Sequence, residues 1–184
     1  MAEEARLEQV GNGLSPVTEG WFVLNAHDAP WVEREAFGRR GRFELDGRLA
    51  AGTGREPVHF EQLGVTLAVL EPGKPSGLYH GEAGQEDFLV LSGECIAIVE
   101  DEERRLRQWD FLHCPPWTNH ILVGAGDGPC IVLMTGARVP GGIRYPVSAV
   151  AARYGASAEQ ETDSPREAYA SFGHWLPARE KPSF

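Results

Sequence analysis

The chain has 184 residues, of which 42% are apolar, and its 17 basic residues stand against 27 acidic ones, for a formal charge of −10. This length suits one domain with short terminal extensions, and the acidic balance argues against nucleic acid or an anionic membrane as a partner. No stretch approaches the ~20 apolar residues of a membrane span, and residues 1–10 lack the pattern of a signal peptide. With three cysteines and no Cys-x-x-Cys pair, we expect a protein of the reducing cytoplasm.

The first third of the chain has no regular periodicity. Residues 1–20 are charged and then glycine-rich, and we expect a flexible segment that is ordered only by docking. Residues 21–62 mix aromatic residues with a basic stretch, which predicts irregular strands around the outside of a barrel. In that stretch we expect a solvated face, formed by Arg39, Arg40 and Arg42.

Strand patterns dominate from Leu63 onward. Short apolar runs alternate with Gly, Pro and Asp turn signals at a spacing of ~8–12 residues, which is typical of an all-β sandwich or barrel. The predicted strands and hairpins lie within residues 63–73, 86–94, 95–106 and 120–136.

The C-terminal tail, residues 141–184, departs from the strand pattern. A short helix is predicted from Ser148 to Tyr154, with Gly155 as its stop. Ser164 and Pro165 open a capping box that predicts a second short helix to about Phe172.

Four residues carry the strongest chemical signal. His80 and Glu82 are two positions apart, so on an extended chain they point the same way. Glu86 opens the next predicted strand, and His120 opens a much later one. Two imidazoles and two carboxylates around one point suit a divalent transition metal, and without a cation two buried carboxylates would be costly.

These residues resemble the two motifs of the cupin superfamily. The first motif is matched by Gly77, His80, Glu86 and Gly93, with Glu82 in the place of a second histidine. The second motif is matched by Asp110, Pro115 and His120. Two tryptophans depart from it, because Trp109 replaces a usual glycine and Trp117 replaces a usual small residue.

The resemblance covers residues 60–137 and implies an all-β jelly-roll, the double-stranded β-helix, with short C-terminal helices after it. It places the barrel at residues 21–140, including N-terminal strands, and the metal inside. It also implies frequent pairing as a homodimer. The aromatic segment from Trp21 to Phe43 either packs on its own barrel or crosses to a partner's sheet edge.

The expected metal ligands are His80, Glu82, Glu86 and His120, holding Fe, Mn, Zn or Ni. Alternatively, Glu82 turns away and leaves the 2-His-1-carboxylate set of non-haem iron oxygenases. His113 and Cys114 are weaker candidates for the pocket lining, and Phe88 or Trp117 for an aromatic wall.

The resemblance leaves the reaction open, because cupins serve many functions. We favour a metal-dependent enzyme, dioxygenase-like or an isomerase or lyase, acting on a small organic molecule, with Glu82 as a catalytic base if it is free of the metal. A small-molecule-binding module without catalysis is the alternative. Arginine and lysine are sparse within the two motifs, which gives a phosphorylated substrate no obvious anchor there.

Overall fold

The computed structural model describes residues 3–51 and 53–183, and most of the regular structure in these residues is antiparallel β. The strands in chain order are β1 (Leu7–Val10), β2 (Gly13–Pro16), β3 (Trp31–Arg34), β4 (Gly38–Arg42), β5 (Leu63–Leu70), β6 (Gly81–Glu82), β7 (Glu86–Ser92), β8 (Glu94–Val99), β9 (Glu102–Arg107), β10 (Phe111–Cys114), β11 (His120–Ala125), β12 (Cys130–Ala137), β13 (Ile143–Arg144) and β14 (Leu176–Pro177). The helices are α1 (Gly47–Ala50), α2 (Ala149–Ala152) and α3 (Pro165–Ala168).

Two sheets face each other and enclose one apolar interior. The larger sheet has seven strands in the order β10-β7-β12-β5-β4-β3-β14, and the smaller has the order β11-β8-β9. Short pairs β1-β2 and β13-β6 complete the ladders. This arrangement is the predicted double-stranded β-helix, and the strands predicted from Leu63 onward are all present within their predicted ranges or within one residue of them.

Strand alternation decides which side chains enter the barrel. In β5, Ala68 and Leu70 join the interior cluster, whereas Leu67 and Val69 pack outside it against Trp31. In β7, Phe88 and Val90 are interior, so Glu86 shares their face as the sequence predicted. The interior cluster contains Ala68, Leu70, Phe88, Val90, Cys95, Ala97, Cys114, Leu122, Cys130 and Val132.

The N-terminal aromatic segment packs on its own barrel. Strands β3 and β4 extend the large sheet beside β5, and the fully buried Trp31 covers the outer face of that sheet. This burial removes a large apolar ring from water and covers what would otherwise be a bare strand edge. The homodimer stays a prediction.

Residues 1–20 include the hairpin β1-β2, which is ordered by docking. Val10 and Ser15 are buried, and the hairpin contacts the rest of the chain through its turn at Asn12. The Asn12 amide donates to the carbonyl oxygens of Trp31 and Ala178 at 2.9 and 3.0 Å. Its Oδ1 accepts from the Trp31 backbone N at 2.9 Å, so one side chain joins the hairpin to β3 and to the tail.

The tail supplies two short strands in addition to the predicted helices. Helix α2 begins after the Ser148 cap, and Gly155 beyond it has a positive φ of +66°. Helix α3 begins after the Ser164 cap but ends at Ala168, shorter than predicted, and a turn follows it before β14 pairs with β3. Among the described residues, no helix is long and apolar enough to span a membrane.

Replacing Asn12 with alanine is expected to lower the free energy of unfolding by about 2–3 kcal/mol, because three hydrogen bonds of ~1 kcal/mol each are lost. Chemical denaturation measures the change. Gln9→Ala is the matched control, since its amide makes one exposed bond to the Gly11 carbonyl. Equal stability of the two variants would show that Asn12 does not anchor the hairpin.

Candidate metal centre

His80, Glu86 and His120 converge inside one end of the barrel. His80 and His120 face each other across an antiparallel bridge, in which His120 N donates to His80 O at 2.8 Å and His80 N donates to His120 O at 3.2 Å. Glu86 opens β7 on the interior face, and His120 opens β11 on the face that Leu122 shares. Three residues distant in sequence therefore meet because three strand starts lie at the same end of the barrel.

One carboxylate oxygen is the meeting point of the cluster. Oε2 of Glu86 lies 3.0 Å from Nε2 of His120 and 3.3 Å from Nε2 of His80. One ligand atom from each of the three residues lies within 4.8 Å of the others. His120 is only 3% exposed, whereas His80 and Glu86 are partly buried.

Backbone carbonyls define the tautomers of both imidazoles. Nδ1 of His80 lies 2.8 Å from Leu78 O, and Nδ1 of His120 lies 2.9 Å from Thr118 O. A carbonyl oxygen only accepts, so each Nδ1 carries the hydrogen and a neutral ring presents a lone pair at Nε2. Metal-binding histidines are held in this way by the partner of their other nitrogen.

The facing atoms are both buried and electron-rich. Glu86 Oε2 and His120 Nε2 are buried, and neither has a hydrogen bond of good geometry within the described part of the chain. A carboxylate oxygen facing the lone pair of a neutral imidazole at 3.0 Å is repulsive unless a positive charge compensates it. The cluster therefore requires a cation or a proton at its centre.

The pKa shifts of Glu86 and His120 agree with this requirement for a positive charge. Burial by itself raises the pKa of Glu86, but the two neighbouring imidazoles outweigh burial and hold the pKa well below its usual range. Burial lowers the pKa of His120, but contacts with Cys114 and Glu86 outweigh that effect and raise it to about 10. The carboxylate thus strongly favours its ionised form, and the His120 imidazole strongly favours its protonated form.

Glu82 lies outside this three-residue cluster but lines the same pocket. Burial raises its pKa, and the charge of Glu86 raises it further. Both glutamates face Gly136, where a Cβ would lie 3.5 Å from Glu82 Oε1 and 3.5 Å from Glu86 Cγ. The absence of a side chain at Gly136 leaves room for two carboxylates in one cavity.

Two tryptophans of the second motif occupy left-handed backbone positions. Trp117 has a φ of +67°, and its backbone N donates to Glu82 O at 2.7 Å, which ties β6 to the loop before His120. Trp109 has a φ of +74° in the turn before β10. Such a conformation costs a non-glycine residue about 1–2 kcal/mol, which explains why glycine and small residues are usual at these motif positions.

The other residues that were predicted to line the pocket lie on different sides of the sheet, because side chains alternate along a strand. His113 points outward, where Nδ1 lies 2.6 Å from Asp87 Oδ1. Cys114, its neighbour, is buried inside and contacts His120. Phe88 packs edge-on against the His120 ring with centroids 5.1 Å apart, whereas Trp117 is 42% exposed and faces Arg144.

A pocket of ≈ 460 Å³ opens beside the cluster. Glu82, Glu86 and Met134 line it together with two arginines, Arg40 and Arg138. Arg138 pairs with Glu44, but Arg40 forms no ion pair with any carboxylate in the described part of the chain. A volume of a few hundred Å³ with convergent polar groups is typical of small-molecule sites.

The expectation of a solvated face at Arg39, Arg40 and Arg42 was wrong for Arg40 and Arg42, whose Nε atoms are both buried. Within β4, Arg40 pairs with Ala68 of the barrel interior, whereas Arg39 pairs with Val69 of the outer layer. Arg39 therefore lies outside, where it bonds Glu71 at 2.8 Å, and Arg40 points into the pocket. No periodicity in Gly38–Arg42 shows this, because the face depends on the register with β5.

Comparison with known proteins agrees with the fold. Residues 66–136 match the family model described as the Cupin domain. A search of curated proteins found no match. Among solved structures, a polyketide cyclase, RemF from Streptomyces resistomycificus, is 13% identical with a TM-score of 0.50, and the alignment covers 66% of this chain and 82% of that one.

Two further structures align over shorter parts of this chain. A candidate sugar phosphate isomerase from Acidithiobacillus ferrooxidans is 25% identical with a TM-score of 0.43. That alignment covers 55% of this chain and 61% of that one, less than two thirds of its length. KdgF from Halomonas sp. is 19% identical with a TM-score of 0.45, covering 59% and 88%.

The matched segment, residues 66–136, contains β7 to β11 complete and with them Glu86, His120 and the predicted motif residues between them. The double-stranded β-helix of the structure agrees with the match, as does the likeness to RemF. Residues 66–136 therefore resemble the Cupin domain in sequence, and the structure around them has the double-stranded β-helix fold.

Proposed function

We propose that this cupin domain binds a divalent transition metal through His80, Glu86 and His120 and that the chain is a metal-dependent enzyme acting on a small organic molecule. The observation that carries the proposal is the convergence of two imidazole Nε2 atoms on one buried carboxylate oxygen, at 3.0 and 3.3 Å. Both Nδ1 atoms are held by backbone carbonyls, so both Nε2 atoms are available as ligands.

The spacing of the ligand atoms fits a metal. Ligands bonded at about 2.1 Å and at right angles lie about 3.0 Å apart, and at tetrahedral angles about 3.4 Å apart. The observed 3.0 and 3.3 Å lie within this range. Two histidines and one carboxylate suit iron, manganese, zinc or nickel, and three protein ligands leave positions for water or substrate.

The pocket beside the ligands supports a catalytic site over a purely structural one. A structural site is closed by protein ligands, whereas this cluster borders a cavity of ≈ 460 Å³. When bound, a divalent metal supplies Lewis-acid chemistry that polarises an oxygen of the substrate.

The chain's own residues would supply the remaining functions. Glu82 lines the cavity outside the ligand set, so its carboxyl group is free to take a proton from a bound molecule or to return one. Phe88, 2% exposed and edge-on to His120, holds the imidazole in place and excludes water from that side. These roles fit isomerase, lyase or oxygen-dependent chemistry alike.

Metal content tests the proposal directly. Protein purified without a chelator or a histidine tag is expected to contain close to one equivalent of a transition metal by elemental analysis, and the His80→Ala/His120→Ala variant to contain none. His113→Ala is the matched control, because His113 lies on the adjacent strand but points outward. No metal in the parent after incubation with iron, manganese, zinc and nickel would contradict the proposal.

Metal binding should also stabilise the fold. At a free metal concentration 100-fold above Kd, binding to the native state contributes about 2.7 kcal/mol. For a chain of this size that raises Tm by roughly 5–10 °C. The rise should be absent in His80→Ala/His120→Ala and intact in His113→Ala, as measured by scanning calorimetry with and without metal.

Two glutamate variants separate a three-ligand site from a four-ligand site. Glu86→Gln is expected to weaken metal affinity by a factor of at least ten, because it removes the anionic ligand at the centre of the cluster. Glu82→Gln should weaken it by much less, since Glu82 lies outside the cluster. Isothermal titration with Zn²⁺ measures both, and an equal loss in the two variants would assign Glu82 as a fourth ligand.

A further inference from the structure

One positively charged group of the pocket, Arg40, comes from outside the cupin motifs. Arg40 lies on β4, which precedes the matched segment at residues 66–136. Its register with Ala68 places its side chain on the interior face, and it lines the cavity together with Glu82 and Glu86. The N-terminal extension therefore contributes a cation to the site that the motifs build.

The Arg40 guanidinium is held in place but not neutralised. One Nη atom donates to the carbonyl oxygen of Ser76, and the group lies 4.8 Å from the Trp175 ring. Its Nε is buried without a hydrogen-bond partner, and no carboxylate of the described residues pairs with it. Burial lowers the pKa of Arg40 to about 10, which still leaves it charged at neutral pH.

Arg34 is also buried with an unpartnered Nε, but it does not line the pocket, and three other arginines have a carboxylate partner. Arg39 pairs with Glu71, Arg42 lies 3.7 Å from Asp46, and Arg138 pairs with Glu44. A partly buried guanidinium without an ion pair carries a desolvation cost that an anionic ligand would offset. Its planar fork of N–H groups matches a carboxylate in two parallel hydrogen bonds.

The charge balance of the pocket indicates how many charges the ligand carries. Arg138 is neutralised by Glu44, so the remaining charged lining groups are Glu82, Glu86 and Arg40. Arg40 is thus the cation of the described lining that has no carboxylate partner and can pair with an anionic group of a bound molecule. A monoanion neutralises the single charge of Arg40, whereas a dianion such as a phosphate monoester overcompensates it.

We propose that Arg40 is a substrate-anchoring residue and that the molecule bound in this pocket is a small monocarboxylate, whose carboxylate is held by Arg40. This inference rests on the proposed function, since the metal site is the second point at which the molecule would be held. Arg40 and Glu86 both line the cavity, so one bound molecule has access to the guanidinium and to the cluster. The substrate class is therefore a small acid with a second oxygen function directed at the cluster.

Pyruvate and pyruvamide test this proposal as a matched pair of probes, because they have nearly the same shape and differ in charge. In titration calorimetry of the zinc-loaded parent, pyruvate is expected to bind at least tenfold more tightly than pyruvamide and than methyl phosphate. This comparison needs no variant. Equal binding of pyruvate and pyruvamide, or no binding of pyruvate, would overturn the proposal.

Arg40→Gln is expected to lose at least tenfold in pyruvate affinity and to retain its full zinc content. Arg39→Gln is the matched control, because it removes the neighbouring guanidinium from the opposite face of the same strand. If Arg40→Gln disturbs folding, Arg40→Lys takes its place in the test. It keeps the charge but not the fork of N–H groups, so it should retain part of the pyruvate affinity. Full pyruvate affinity in zinc-loaded Arg40→Gln would refute the anchor and leave the metal site intact. A parent that takes up no metal would overturn the proposed function, and a metal-free parent that also binds no pyruvate would overturn the anchor.

Discussion

A single electrostatic constraint governs this site. Glu86 directs one carboxylate oxygen at two imidazole nitrogens, and backbone carbonyls hold both rings with their lone pairs toward it. Burial makes the arrangement more demanding, because little water reaches the facing atoms to screen their repulsion. A positive charge at the centre turns this repulsion into attraction, which is the physical basis for proposing a metal at this cluster.

The barrel makes this convergence possible through strand alternation. Glu86 and Phe88 share one face of β7, and His120 and Leu122 share one face of β11, so the polar end of each strand continues an apolar row. The apolar part of each row is packed in the core, and that packing holds the polar end in position. Cys114 and His113 follow the same alternation, because adjacent residues on β10 point to opposite sides of the sheet.

The N-terminal segment adds a charged side chain to the pocket. Strand β4 pairs with β5 in a register that sends Arg40 inward beside the two glutamates. Trp31 on the outer face, together with the Asn12 contacts that join the hairpin to β3 and the tail, keeps this added edge in place. Trp175 of the tail lies against the guanidinium, so segments from both ends of the chain position one charge.

Local pattern in the sequence determined the strands from Leu63 onward, the caps at Ser148 and Ser164, and the grouping of His80, Glu86 and His120. These features depend on period-two alternation, turn chemistry and motif spacing, all of which act over short stretches of chain. Only the tertiary structure separated Glu82 from the cluster, because a matching position two residues from His80 does not determine where the carboxyl group ends. Likewise, only the pairing of β4 with β5 decided that Arg40 points inward and Arg39 outward, since a shift of one residue in register would exchange their faces.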